Sequence, residues 1–484
     1  MEVNYIMDHN KQKGNIWKIF KDFRFWILLY FFLRLIGITN PPLEITHNWR
    51  ESIGTMVARN FLEIDANILY PRLDFNGNKE GIVGMEFPIY NYLIFLWSKI
   101  FGYSHFAGRF INLVVSSLGI FYFFRIIRIY INQKTAFFSG IILLNSVWFY
   151  YSRKIIPETF AASLVIIGLY FGLKYFYKNG NIFSFGLFTL LATLGVLSKI
   201  SAICLLGVCI IPFLDKKVNR RKKITMVFGG FILSSLVGWW YFYWNPYLTE
   251  TYAFSHFFMG VPITQAISDL VDNLGLFFKR FYDTALKYIG FFSFLFGLFW
   301  CFYKKEKLLI YIYISVSIFL LPIILKTGYN FAFHEYYIIP FVPVMALMAG
   351  YGLSSIPRKK VSVIILFFIA LEGIINQQHQ FLIKSEMAKL ELLETKLDDW
   401  GTRGDLVAIN CGYYPTPLYM AHRKGWITSN NHLKSKDYLL RLKGEGCRFF
   451  IILKKSFGTE VEQLPMEKVY SDEHFTIYNN SFLE

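Results

Sequence analysis

Long apolar stretches recur along the first three quarters of the chain, separated by short polar loops. A bilayer core of about 30 Å needs roughly 20 apolar residues at 1.5 Å each, and the stretches approach that length. The pattern predicts twelve apolar segments, at 23–39, 88–101, 110–125, 135–151, 159–177, 182–197, 200–214, 224–244, 286–303, 308–325, 336–354 and 361–377. We therefore predict an α-helical, multi-pass membrane protein.

The positions of Lys and Arg decide which segments cross the membrane. If all twelve cross and the basic N-terminus (Lys11, Lys13, Lys18, Lys21 and Arg24) is inside, four basic loops lie outside, against the positive-inside rule. Segment 88–101 is the shortest, begins with a proline suited to a first turn, and has one apolar stripe (Ile89, Leu93, Leu96, Trp97 and Ile100). We predict that it lies on the outer surface, which leaves eleven spans and an outside C-terminal tail.

Three regions are predicted to be extracytoplasmic, the first loop 40–109, the segment 245–285 and the tail 378–484. In the tail, short apolar runs such as "DLVAIN" and "CRFFIIL" alternate with helix-like polar stretches. The predicted domains are therefore a transmembrane domain, 1–377, and a small soluble α/β domain, 378–484.

The composition supports a membrane protein and argues against a nucleic-acid partner. Of 484 residues, 55% are hydrophobic, above the 45–50% usual for soluble domains. The net charge of +17 comes mainly from short loops between apolar segments, where Lys and Arg orient the helices.

Ionisable residues gather at the predicted outer ends of the helices. Glu51 lies in a short helix whose other side is apolar, so this helix is predicted to lie on the membrane. Glu86 opens the surface helix, and Glu158 starts the fourth span. Lys199 lies in a tight turn, and His334 precedes Tyr336 at the start of the tenth span. An acid at a helix start also simply complements the helix dipole, but ionisable residues at membrane depth are costly and point to function.

This set of groups suits a reaction on a lipid-linked phosphate. A carboxylate can take a proton from an acceptor hydroxyl, while Lys and Arg hold the phosphate as it leaves. The chain lacks the G-x-x-x-x-G-K-[ST] pattern of nucleotide-phosphate loops, so an ATP-driven mechanism is not supported. The alternatives are a transporter or lipid flippase, and a glycan ligase that uses a diphosphate-linked donor.

At these residues the chain resembles the GT-C glycosyltransferases of family 39, the protein mannosyltransferase and lipid A aminoarabinose transferase type. The resemblance rests on the order and spacing of several pieces, "HNWRESIGTMVARNF", "LYPRLDFNGNKEGIVGMEFPIYNYL", "FGYSHFAGRFINL", "SRKIIPETFAASL", "LGVLSKISA" and "HEYYIIPFVPVMAL". It implies the GT-C fold and transfer of a sugar, with inversion, from a polyprenyl-phosphate-sugar donor to a glycan, lipid or protein acceptor. It also implies a bacterial plasma membrane location with the active site outside.

The resemblance further implies roles for individual residues. Relatives carry an Asp-Glu pair that aligns with Arg50 and Glu51, so the Asp is missing here and Glu51 takes its place. Phe87 stands where the lipid A enzymes have Lys. The implied catalytic residues are Glu51, Glu158 and Glu86, and the implied donor-phosphate ligands are Lys199, Arg109, Arg153, His334 and Tyr336. A divalent metal, which some relatives use, would have Glu51, Glu86, Glu158 and His334 as candidate ligands.

Overall fold

The protein is described by a computed structural model, which covers residues 18–178, 180–256, 258–459, 461 and 463–482. Lys11 and Lys13, used above for the orientation, lie outside these residues. Contacts divide the chain into two compact units. The helical unit comprises Met1–Ile38, Phe110–Gly238 and Phe258–Gln378, and the loop-and-tail unit comprises Thr39–Arg109, Trp239–Phe257 and His379–Glu484.

The helical unit contains most of the apolar helices. Each of the eleven predicted spans overlaps at least one described helix, and four of them, 135–151, 200–214, 224–244 and 336–354, are divided between two helices. The helix His105–Tyr130 contributes residues to both units. The others are Phe23–Leu33, Gln133–Asn145, Trp148–Tyr151, Pro157–Tyr177, Ile182–Ser198, Ile200–Cys209 (3₁₀), Ile210–Leu214, Arg220–Trp239, Ile263–Asp272, Leu274–Lys279, Arg280–Ala285 (π), Lys287–Tyr303, Lys307–Thr327, Tyr329–Phe333, Glu335–Ile338 (3₁₀), Val342–Ser355 and Lys359–Gln377.

Among the described residues, five helices are long and apolar enough to cross a membrane by themselves, and a sixth crossing results if a bent pair counts as one. The five are His105–Tyr130, Pro157–Tyr177, Arg220–Tyr252, Lys307–Thr327 and Lys359–Phe381, and the pair, bent by 95°, is Leu274–Ala285 with Lys287–Tyr303. The protein is therefore a multi-pass membrane protein, and the number of eleven spans stays a prediction.

One of the shorter segments is longer in space than its residue count suggests. The stretch predicted at 200–214 forms a 3₁₀-helix, Ile200–Cys209, followed by the α-helical turns Ile210–Leu214. Because a 3₁₀-helix rises about 2.0 Å per residue instead of 1.5 Å, these fifteen residues extend about 27 Å. That length is close to the thickness of a bilayer core.

The loop-and-tail unit contains a five-stranded mixed sheet in the order β2-β1-β3-β5-β4. Strand β1 is parallel to both β2 and β3, and β5 is antiparallel to β3 and β4. The predicted runs "DLVAIN" and "CRFFIIL" are the neighbouring strands β1 and β3, which confirms that the tail contains strands as well as helices. The domain boundary at 378 stays a prediction. The strands are Leu406–Ile409 (β1), Gly425–Ile427 (β2), Cys447–Leu453 (β3), Met466–Ser471 (β4) and Phe475–Phe482 (β5).

The loop-and-tail unit also contains short helices, two of them in the first loop and the others in the remaining stretches. Those of the loop are Asn48–Glu63 and Ile89–Phe101. Those of the remaining stretches are Trp240–Trp244 (π), Asn245–Tyr252, Gln378–Phe381 (3₁₀), Ser385–Ala388, Lys389–Glu391 (3₁₀), Leu392–Asp398, Thr416–Ala421, Asn430–Leu433, Lys436–Gly444 and Lys455–Phe457 (3₁₀).

The helix Asn48–Glu63 is buried on both sides. Its apolar residues Met56 and Val57 are completely buried, in one core with Leu393 and Leu397 of the tail. The prediction that this side lies on the membrane is wrong, because tail residues cover it. A pattern of apolar positions shows that a helix side is buried but does not say what buries it.

The helix Ile89–Phe101 has an apolar exposed side, as predicted. Its buried side is formed by Tyr90, Asn91, Ile94, Phe95 and Ser98. The predicted stripe lies opposite, and within it Leu96 is 43% and Ile100 74% exposed. An exposed apolar stripe is what a helix at a membrane surface presents to lipid.

Candidate active site

Arg109 is bound by two buried carboxylates in the loop-and-tail unit. Its Nη1 atom lies 2.9 Å from Glu44 Oε2 and 3.0 Å from Glu51 Oε1, and all three side chains are completely buried. The Nη2 atom of Arg109 also donates to Glu51 Oε2 at 3.4 Å. The planar fork of a guanidinium suits such contacts, and the cluster places one positive charge against two negative charges.

The segment before the helix Asn48–Glu63 shapes this cluster. The carbonyl oxygens of Asn40 and Pro41 accept hydrogen bonds from Arg109, each at 3.2 Å. The Asn40 side chain donates to Glu44 Oε1 at 3.0 Å. Glu51 lies in the first turn of its helix, where the dipole favours a negative charge.

Glu86 forms a separate ion pair in the same unit. Its Oε1 atom lies 3.5 Å from Nη2 of Arg50, and both side chains are about 15% exposed. The preceding residue is fixed, since the Met85 carbonyl accepts hydrogen bonds from the Asn245 amide and the Trp240 indole, each at 2.9 Å. The two acids predicted in the first loop therefore each have an arginine partner.

In the helical unit, Glu158 and Lys199 form a buried ion pair. Pro157 and Glu158 begin the helix Pro157–Tyr177, where proline and an acid are both favoured. Lys199 lies in the extended turn after the helix Ile182–Ser198. Its Nζ atom lies 3.3 Å from Glu158 Oε1, with the side chains 6% and 0% exposed. Removing either partner would leave a buried charge uncompensated.

Aromatic rings extend this pair. The Lys199 ammonium lies 5.4 Å from the ring centre of Tyr336 and 5.6 Å from that of Tyr337, within the range of cation–π attraction. The His334 ring stacks on Tyr336, with 5.0 Å between centroids. Four of the predicted site residues, Glu158, Lys199, His334 and Tyr336, are thus brought together within this unit.

The neighbouring loop 152–156 holds further buried cations. Arg153 and Lys154 are completely buried, and Arg153 Nη2 donates to the Gly37 carbonyl at 2.6 Å. Arg34, also completely buried, donates to Ser152 Oγ. The amide of Asn112 fixes the loop by donating to the Tyr151 and Lys154 carbonyls at 3.0 and 2.8 Å. Such a cation-rich loop suits an anionic ligand.

Three residues that contact the predicted site residues or lie beside them could not be predicted from the sequence. Glu44 lies in a loop without periodicity, seven residues before Glu51. Arg34 occurs at the end of an apolar helix, where a snorkelling role is the simpler interpretation. A further contact joins Glu335, the residue after His334, to Tyr150, whose Oη atom donates to Glu335 Oε2 at 2.5 Å across 185 positions of the chain.

The structure thus places the predicted residues in two groups. Glu51, Glu86 and Arg109 belong to the loop-and-tail unit, whereas Glu158, Arg153, Lys199, His334 and Tyr336 belong to the helical unit. No group of three or more His, Cys, Asp or Glu side chains suited to a metal ion occurs among the described residues, so the four candidate ligands do not form such a set.

A family model described as dolichyl-phosphate-mannose-protein mannosyltransferase matches residues 86–242. This match, about a third of the chain, contains five of the eight predicted site residues, namely Glu86, Arg109, Arg153, Glu158 and Lys199. Searched by sequence, the curated proteins give no match to the chain.

Solved structures of the same fold exist. ArnT from Cupriavidus metallidurans in the apo state has a TM-score of 0.61 and 12% identity, covering 94% of this chain and 98% of that one. ArnT bound to undecaprenyl phosphate gives 0.57 and 10%, with the same coverage. The Archaeoglobus fulgidus oligosaccharyltransferase, in complex with Zn and sulfate, gives 0.56 and 13%, covering 94% and 73%.

The family match and the fold together confirm the predicted resemblance and the predicted enzyme class. The fold is that of ArnT, and the sequence match falls on the segment that carries most of the candidate site. The chain is a multi-pass membrane protein with the fold of ArnT, and over residues 86–242 it is similar to the protein mannosyltransferase family.

Proposed function

We propose that this protein is an inverting glycosyltransferase that moves a sugar from a polyprenyl-phosphate-linked donor to an acceptor on the extracytoplasmic face of the membrane. The observation that carries the proposal is the match to the mannosyltransferase model over 86–242, because five site residues lie within it. One solved structure of the same fold holds undecaprenyl phosphate, a lipid phosphate of the proposed class.

The helical unit supports the departure of the lipid phosphate. In the reaction, the bond between the anomeric carbon and the phosphate oxygen breaks, and its electron pair goes to the phosphate. A buried cation with a fixed position stabilises that developing charge strongly because little water screens it. Lys199, oriented by Glu158 at 3.3 Å, is the cation we assign to this role. Arg153, His334 and Tyr336 are further candidates.

The loop-and-tail unit supports the removal of the acceptor proton. As the acceptor oxygen attacks the anomeric carbon from the side opposite the phosphate, its proton passes to a carboxylate, and the configuration inverts. The cluster of Glu44, Glu51 and Arg109 has one carboxylate more than it has cations. We assign Glu51 as the base and Arg109 as the group that orients it, and Glu86 is the second candidate. A direct contact of Arg109 with the donor phosphate stays a prediction.

The proposed orientation keeps the predicted topology. Eleven helices cross the membrane, the N-terminus is inside, and the soluble domain 378–484 is outside. The overlap of every predicted span with one or two described helices supports this count. The proposed location is the bacterial plasma membrane, with membrane lipids around the helices and the acceptor, a glycan, lipid or protein, outside.

A donor comparison in proteoliposomes tests the proposal. Purified protein is supplied with a sugar on a polyprenyl phosphate, the same sugar on a polyprenyl diphosphate, or a nucleotide sugar, together with extracted cell-surface acceptors. We expect product only with the monophosphate, with an inverted anomeric centre by NMR. Product from the diphosphate donor would instead establish the ligase, and lipid translocation without product would establish the flippase.

Variants of two acids assign the roles. Glu51→Gln and Glu158→Gln should each lower turnover at least a thousandfold while both variants elute as folded protein. Glu51→Gln should melt like the wild type because Arg109 keeps Glu44, whereas Glu158→Gln should melt lower because Lys199 loses its buried partner. A matched control is Glu250→Gln, at an acid in the helix Asn245–Tyr252 that belongs to neither group. Full activity of both site variants would refute the assigned roles.

A further inference from the structure

The helical unit contains an apolar cavity far from its acid–base pair. The cavity has a volume of about 450 Å³, within the range of about 300–1,000 Å³ that is usual for small-molecule sites. It lies among five segments of the unit, represented by Phe123, Leu169, Leu205, Ile312 and Leu347. A cavity of this size and lining suits a hydrocarbon chain.

The helix Pro157–Tyr177 fixes the position of the cavity along the membrane normal. Its residues Ile166, Leu169, Leu173 and Tyr177, spaced three or four apart, line the cavity. Ile166 is eight residues, about 12 Å, from Glu158, and Lys178, at the other end of the cavity, is about 30 Å from it. The cavity therefore occupies the half of the helix that is remote from the proposed phosphate group.

The remote end of the cavity has a polar rim with one cation and one acid, and a basic segment follows the acid in the chain. Tyr130, Tyr177, Lys178 and Asp215 line it there. Asp215 accepts a hydrogen bond from the backbone of Lys217 at 2.8 Å, and Lys222 Nζ donates to the Tyr175 carbonyl at 2.5 Å beside the rim. The segment 215–223 carries six cations against this one acid.

We propose that this cavity binds an anionic phospholipid of the cytoplasmic leaflet, with an acyl chain in the cavity and the head group at Lys178 and Lys222. Charge complementarity favours this occupant, because basic pockets between membrane helices on the cytoplasmic side bind anionic head groups. The assignment to the cytoplasmic leaflet rests on the orientation in the proposed function. The cavity and the basic residues beside it do not depend on the reaction.

The separation of about 30 Å distinguishes this lipid from the sugar donor. A donor whose phosphate contacts Lys199 has its head group at the opposite end of the same helix. The cavity is lined by the helix Pro157–Tyr177, which has Glu158 in its first turn, and by the segment Ile200–Leu214, which follows Lys199. A bound phospholipid therefore contacts the two segments that hold the ion pair, on the side remote from the proposed phosphate group.

Lipid analysis of the purified full chain tests the proposal. After purification in mild detergent and washing, native mass spectrometry and lipid extraction should find about one anionic phospholipid per protein. Leu169→Trp, which fills the cavity, should lower this retention at least threefold. Leu190→Trp, at a side chain that is 54% exposed on the neighbouring helix, is the matched control and should retain lipid like the wild type.

A melting assay tests the head group and guards against misfolding of the Trp variant. Phosphatidylglycerol should raise the Tm of delipidated wild type by several degrees more than phosphatidylcholine does, since a ligand stabilises the state that binds it. Lys178→Glu with Lys222→Glu should abolish this difference. Equal shifts with both lipids in the wild type, or an undiminished preference in the double variant, would overturn the proposal.

A third comparison separates this lipid from the donor. In folded protein, Lys199→Ala should leave phosphatidylglycerol retention unchanged, because Lys199 contacts Glu158 at the end of the helix Pro157–Tyr177 that is remote from Lys178. If the retained lipid is a polyprenyl phosphate that Lys199→Ala depletes, the cavity belongs to the donor and the proposal fails. Absence of glycosyl transfer with intact phosphatidylglycerol binding would refute only the proposed function.

Discussion

The charged side chains of the candidate site have ion-pair partners far away in sequence. Arg109 contacts Glu44 and Glu51, which precede it by 65 and 58 residues. Composition and position could single out Glu51 and Arg109 as ionisable groups near a helix end. They could not show that the two share one buried cluster, because that depends on how the loop 40–109 folds back.

Loss of Arg109 should destabilise the protein strongly. Arg109→Leu leaves Glu44 and Glu51 buried without a cation, which typically costs about 3–5 kcal/mol. Arg125→Leu on the same helix is the control, because Arg125 contacts the face of Tyr170 at 4.9 Å and should lose about 1 kcal/mol or less. Unfolding in detergent measures both. Equal losses would contradict the ionic role of the cluster.

His422 is predicted to make the stability of the loop-and-tail unit depend on pH. Its ring nitrogens lie 2.9 Å from Glu394 and 3.0 Å from Glu63. Burial by itself lowers the pKa of His422, but the hydrogen bonds to both carboxylates outweigh it, and the pKa is raised above its ordinary value near 6.5. The hydrogen bond from His422 lowers the pKa of Glu394 to about 2.

The sign of the pH effect follows from these directions. A raised histidine pKa contributes stability that is fully present below about pH 6.5 and is lost as the pH rises through the folded value. The lowered carboxyl pKa of Glu394 contributes stability above about pH 4.5 that is lost on acidification towards 2. The Tm of the wild type should therefore be highest between about pH 4.5 and 6.5.

His422→Asn tests this source of the pH dependence, because asparagine tolerates the left-handed backbone at this position (φ 47°). The Tm of the variant should decline much less above pH 6.5 than that of the wild type. A decline that persists unchanged in the variant would exclude His422 as its source.

At the level of elements, apolar periodicity predicted which parts of the chain are helical, but it did not predict where helices are interrupted or what surrounds them. The segment predicted at 159–177 is the helix Pro157–Tyr177, since length, an N-terminal proline and an acid in the first turn all agree. By contrast, the helix Asn48–Glu63 is covered by the tail and not by the membrane. The sequence could not predict this, because lipid and a protein core both select apolar residues. The 3₁₀ form of Ile200–Cys209 was also invisible, since it depends on packing against other helices.

Close helix packing depends on glycine at one contact in the helical unit. A side chain at Gly297 would overlap the backbone carbonyl of Met348, and one at Gly352 would overlap the backbone of Gly297. Small residues allow membrane helices to approach in this way. Gly297→Val should lower the Tm by several degrees, measured in detergent.

The control for this contact is Gly230→Val. A Cβ at Gly230 meets nothing within 4 Å, although this glycine also lies in an apolar helix, Arg220–Trp239. Its Tm should stay within about a degree of the wild type. Similar losses in both variants would indicate a general cost of valine in these helices instead of a specific contact.

At the level of the whole molecule, the loop charges determine the expected orientation. A reporter fused after residue 380 should read as extracytoplasmic, and one inserted in the basic loop at 217–219 should read as cytoplasmic, because basic loops remain inside. Alkaline phosphatase and fluorescent-protein fusions in cells give the two readings. A cytoplasmic signal from the fusion after residue 380 would overturn the eleven-span orientation.

The makeup of the loop-and-tail unit has a consequence for how the chain is produced. Val57 and Leu393 share one core but are separated by more than 300 residues. At a synthesis rate of about 5–20 residues per second, the first loop waits roughly 15–70 s before the tail emerges from the ribosome. Throughout that interval its apolar helix side is without its native cover. Translation speed and extracytoplasmic chaperones should therefore affect the yield of this protein more than they affect membrane proteins whose outer loops fold alone.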